Sequence, residues 1–165
     1  MDNNDLLIRL RYALDIKNTD MAEIFKLGGV EVTKEEVLKI LTKSNDNDDD
    51  LAENDKNIKC DNVMFESFLN GFIIFKRGKQ EPKPGQPERP LFSNESANNI
   101  LLKKLKIALS LTSEDMIEIL EEAGVSITKG ELSAILRKKG HKNYKECGDR
   151  YARNFLKGLA LKYRA

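Results

Sequence analysis

The sequence predicts an all-α protein: two tandem four-helix repeats, joined by a proline-rich linker and packed with pseudo-two-fold symmetry. Three observations predict it. Apolar residues recur at helical spacing and no run alternates strictly enough for a strand. The stretch GGVEVTKEEVLKIL, beginning at Gly28, is echoed from Ala123 as AGVSITKGELSAIL. All four prolines fall in EPKPGQPERP, at Pro82, Pro84, Pro87 and Pro90.

Leu6, Leu7, Leu10, Ala13 and Leu14 mark the first helix, and Met21, Ile24 and Phe25 the second. The echoed phrase then reads as a helix stop, a turn and a helix start. Gly29 sits where the second helix needs a left-handed residue to end. Thr33 and Glu36 form a capping box, with Val32 and Val37 at the two positions of a hydrophobic staple. The third helix continues through Val37, Ile40 and Leu41, and the fourth through Phe65, Phe68, Leu69, Phe72 and Ile73. Sliding the chain by 95 residues sets Asn4 on Asn99, and about 18 of the next 40 positions are identical. Gly124, Thr128, Glu131, Ile127 and Leu132 repeat the stop, box and staple. Past the third helix the offset falls to 87, so that SFLNGF from Ser67 meets NFLKGL from Asn154 and Gly71 meets Gly158. Glycine inside a helix costs about 1 kcal/mol against alanine, so a close helix crossing is expected at both. FLNGFIIF is apolar almost all round, which predicts contact on more than one face.

The expected organisation is a first repeat over 1–78 with an acidic loop at 45–57, a linker over 79–98 and a second repeat over 99–165. Net charge is only +1, but its distribution is uneven. Residues 1–78 hold 11 basic and 16 acidic side chains, and residues 99–165 hold 14 and 8. No window approaches about 18 uninterrupted apolar residues, which argues against a membrane span. The start, MDNNDLLIRLR, lacks the order of a signal peptide. With two cysteines and no export signal, the expected location is cytoplasmic, with free thiols.

No residue spacing singles out a catalytic, cofactor or metal site. NDNDDDLAEND puts Leu51 where a calcium loop needs glycine and Asn57 where it needs a bidentate glutamate. Cys60 and Cys147, matched in the two copies, read as small buried thiols, and with the single His141 they do not fill a zinc site. The helix, glycine turn and helix around Gly124 has too long a turn for a DNA-reading helix-turn-helix. Positive charge is the stronger signal. Arg137, Lys138, Lys139, His141, Lys142 and Lys145 lie within nine residues, and Arg150, Arg153, Lys157 and Arg164 recur along one stripe of the last helix. These are the candidates for binding a nucleic acid or an acidic partner, with Tyr144 and Tyr151 as stacking surfaces for bases. Phe68, Phe72 and Phe75 are the candidate contacts between repeats or with a second chain.

The phrases LRYALDIKNTDMAEIFKLGGVEVTKEEV and ILRKKGHKNYKECGDRYARNFLKGLALKYR resemble the YehS-like family of bacterial proteins, over essentially the whole chain. The resemblance implies an all-helical cytoplasmic protein of tandem small domains, and supplies no catalytic or binding residues. The tract from Asn45 to Asp55 departs from the family's usual join. The functional expectation is a non-enzymatic interaction module that binds itself as a homo-oligomer or another protein, with nucleic-acid binding by the second repeat as the alternative.

Overall fold

Helix-start chemistry sets the element boundaries in the computed structural model, which describes residues 1–42, 58–78 and 95–164. The acidic tract and the four prolines lie outside the described residues. Among those described there are eight α-helices and no strand: α1 (Asn3–Leu14), α2 (Asn18–Leu27), α3 (Lys34–Ile40), α4 (Asn62–Arg77), α5 (Ala97–Ala108), α6 (Ser113–Glu122), α7 (Lys129–Leu136) and α8 (Asp149–Tyr163).

The capping box before α3 is complete. The Glu36 N–H donates to Thr33 Oγ1 at 3.1 Å, and the Thr33 N–H donates to Glu36 Oε1 at 3.0 Å. At α7 the Glu131 N–H donates to Thr128 Oγ1 at 3.0 Å, while the Glu131 carboxylate accepts from the Thr128 hydroxyl instead of its N–H. Two further boxes, Asp2 with Asp5 and Thr112 with Asp115, start α1 and α6. Gly29 and Gly124 take the expected left-handed φ, 97° and 89°.

Close crossings explain the helix glycines. A Cβ on Gly71 would collide with the Ile24 carbonyl of α2, and one on Gly158 with the Ile119 carbonyl of α6. These contacts seat α4 on α2 and α8 on α6. The opposite faces leave their own halves: α4 also packs on α5, and α8 on α1. The Arg77 guanidinium donates to the Ile107 carbonyl at 3.3 Å where α4 and α5 both end. The Arg164 guanidinium donates to the Tyr12 carbonyl at 3.0 Å where α8 and α1 both end. At the other end of that pair the Met1 ammonium lies 3.4 Å from Asp149. Both cross-half pairs therefore run parallel, and one buried core runs through both halves, from Leu6 to Leu159.

Candidate interaction surface

A buried asparagine anchors the entry to the last helix of each half. The Asn99 amide donates to the carbonyls of Ile135 at 3.1 Å and Lys145 at 3.0 Å, while its Oδ1 accepts from the Cys147 N–H at 2.8 Å. Asn4 makes the same three bonds to Ile40, Ile58 and Cys60. One side chain thus ties α5 to the end of α7 and to the segment entering α8, and fixes where the α7–α8 loop begins and ends. The thiols beside these anchors are free and buried. Burial, aided by the neighbouring Asp61 at Cys60 and Asp149 at Cys147, pushes both up to about 12, so neither is a thiolate at neutral pH.

The loop carries its charge outward. Lys138, Lys139, His141, Lys142 and Lys145 are exposed and Arg137 is half-buried. His141 is held within the loop, its Nδ1 accepting from the Asn143 N–H at 3.1 Å. Lys145 Nζ lies 3.5 Å from Glu131, which also accepts from the Tyr151 hydroxyl at 3.3 Å. Burial raises the Glu131 carboxyl, but these hydrogen bonds and the Lys145 charge outweigh it and hold it below the usual value.

Arg150, Arg153 and Lys157 are exposed along α8. At 100° per residue, Tyr151 lies at least about a quarter-turn from each of them. Lys145, sharing Glu131 with Tyr151, therefore belongs to another flank of α8. The basic residues named from the sequence do not all gather into one groove. Nor are the two tyrosines open platforms: Tyr151 is tied to Glu131, and Lys103 Nζ sits 5.7 Å from the Tyr144 ring centroid.

Phe68 and Phe72 are fully buried, with Phe68 4.8 Å from Phe25 between ring centroids, so as the chain is folded neither offers surface to a second molecule. Phe75 is 39% exposed. The polar residues of α4 mark the contact between halves. Glu66 and Asn70 are buried, and the Asn70 Oδ1 has no hydrogen-bond partner among the described residues. Burial lowers the Lys104 ammonium of α5, opposed by the charges of Glu66 and Glu95. In the sequence alone Glu66 and Asn70 are only polar breaks in an otherwise apolar helix.

Two open grooves flank the bundle. Glu23, Glu31, Glu36 and Lys26 line one of about 500 Å³ between α2 and α3. Asp115, Glu118, Glu122, Leu161 and Lys162 line one of about 280 Å³ between α6 and α8. No group of three or more metal-ligating side chains exists among the described residues. No described helix is long and apolar enough to cross a membrane.

Residues 3–78 and 98–165 both match the family described as "Protein of unknown function (DUF1456)". The chain is also 40% identical over 163 residues to "Uncharacterized protein YehS" of Escherichia coli (strain K12), covering 98% of this chain and 96% of that one. It belongs to this family. The two DUF1456 segments hold one asparagine anchor each, Asn4 in the first and Asn99 in the second. No solved structure matches the chain.

Proposed function

We propose that the protein is a non-enzymatic cytoplasmic interaction module that holds an acidic partner on the positively charged side of its second half. The carrying observation is that Arg150, Arg153 and Lys157 of the stripe stand exposed with no carboxylate within ion-pair distance among the described residues, while its fourth member, Arg164, pairs with Asp15 at 3.1 Å. Unpaired cations clustered on one surface keep a local field that a neutral, mixed surface lacks. The partner is another protein or a second copy of this one. Retention on heparin at low salt, lost as salt rises and weakened in the triple variant Arg150→Glu/Arg153→Glu/Lys157→Glu, tests the reading. A wild-type chain that passes through unretained ends it.

The α7–α8 loop supports a second reading, nucleic-acid binding. Lys138, Lys139, His141 and Lys142 crowd one exposed segment. Since Tyr144 and Tyr151 are engaged internally, recognition would rest on phosphate contacts and not on stacking. Affinity for a mixed-sequence duplex should then fall steeply with salt, and each lysine removed should reduce the slope by roughly one.

We also read residues 1–78 and 99–165 as two four-helix repeats related by an approximate two-fold axis, with 79–98 joining them. Support comes from matched bonds: Arg77 to Ile107 against Arg164 to Tyr12, and the three bonds of Asn4 against those of Asn99. Each pair is related by the sequence offsets of 95 and 87.

A further inference from the structure

The outer surface of α8 carries charges of opposite sign on its two flanks. Arg150, Arg153 and Lys157 are exposed and, at 100° per residue, lie within about 40° of Arg164, which bonds Tyr12 of α1 and so marks the flank toward that helix. On the side toward α6 lies the groove of Asp115, Glu118 and Glu122, in which Lys162 is the single cation among the described lining residues. Glu118 and Glu122 are exposed, and Leu161, 47% exposed, stands on the ridge between the flanks. The first half lacks this arrangement: on α4 the positions of Arg150, Arg153 and Lys157 are held by Val63, Glu66 and Asn70, the last two buried.

A surface with a basic and an acidic flank is complementary to itself. When a two-fold axis brings the basic flank of one molecule onto the acidic flank of another, the second contact follows by symmetry and the assembly closes. We propose that α8 and the α6 groove beside it form a docking surface for a second copy of this chain, the basic stripe of each copy seated on Glu118 and Glu122 of the other around apposed Leu161 side chains. This rests on the acidic-partner reading above and names the partner. Exposed charge pairs contribute little each, so the leucine ridge supplies apolar burial while the charges fix orientation and exclude other pairings.

The test uses the full chain and light scattering after gel filtration. Wild type should show twice the 18.8 kDa of one chain at low salt and move toward a single chain as salt rises. Arg153→Glu/Lys157→Glu makes both flanks acidic, and Glu118→Lys/Glu122→Lys makes both basic, so each variant alone should be a single chain. An equal mixture should return to twice the mass, because each basic flank then finds an acidic one. All four residues are exposed, and unchanged circular dichroism melts would show that folding is intact. A wild type that stays a single chain at every salt concentration, or a mixture that does not reassociate, overturns the proposal. If that single chain is still retained on heparin, the acidic-partner reading survives without self-docking; if it is not retained, both fall.

Discussion

At the residue scale the polar anchors matter more than their number suggests. Asn99 is fully buried and satisfies two carbonyls and one N–H from separate segments. Asn99→Ala leaves those groups buried without partners, and each such loss costs about 1–3 kcal/mol. The expected outcome is a loss of at least about 2 kcal/mol in urea unfolding, with Asn4→Ala costing a similar amount. The buried thiols add a pH dependence. Their folded value, about 12, lies above the ordinary 9.0, so above pH 9 the unfolded chain releases protons that the folded one keeps. Stability is fully present below about pH 9 and falls as pH rises toward 12. Unfolding titrations should show a flatter alkaline limb in Cys60→Ala/Cys147→Ala than in wild type. The cysteines were legible as matched small residues ahead of a helix. The asparagines were visible only as the first aligned pair of the duplication, because a buried amide serving segments far apart in sequence leaves no periodic trace.

At the element scale, glycine separates packing from propensity. Gly71→Ala and Gly158→Ala each add a methyl where another helix's carbonyl already sits. Overpacking costs about 1–3 kcal/mol and should outweigh the roughly 1 kcal/mol that alanine gains in helix propensity. A Cβ on Gly130, in the first turn of α7, would meet nothing nearer than Thr128 Oγ1 at 4.0 Å, so Gly130→Ala should stabilise by up to about 1 kcal/mol. Thermal melts of the three variants check the opposite signs. The helix starts and stops around Gly29, Thr33, Gly124 and Thr128 were legible because capping is local chemistry. That Glu66 and Asn70 lie between halves was not, since a polar residue in an apolar run looks the same whether it faces water or a second helix. The charge on Lys145 and Arg153 was legible too, but their placement on different flanks of α8 depends on the tertiary path of the loop.

For the whole molecule, each half lends its last helix to the other. α4 packs on α2 and α5, and α8 on α6 and α1, so removing either half would strip a buried face from both. Unfolding should therefore be a single cooperative event. In native-state hydrogen exchange, Asn4→Ala should lower the protection of the slowest amides in α6 and α8 as much as in α2 and α4. Unequal losses would mean that the halves open independently.

The parallel course of α4 and α5 also constrains how the chain gets from one to the other. Because α4 and α5 end side by side at Arg77 and Ile107, the start of α5 lies back along its own 12 residues, which advance about 18 Å. Joining Gly78 to Ala97 across that distance takes at least roughly five residues even when fully stretched. The sequence has 18 residues between the two, numbers 79–96. Trim the span to about two residues and a single molecule can no longer close on itself. Two shortened chains would then have to trade halves, yielding an interlocked pair whose mass ignores ionic strength.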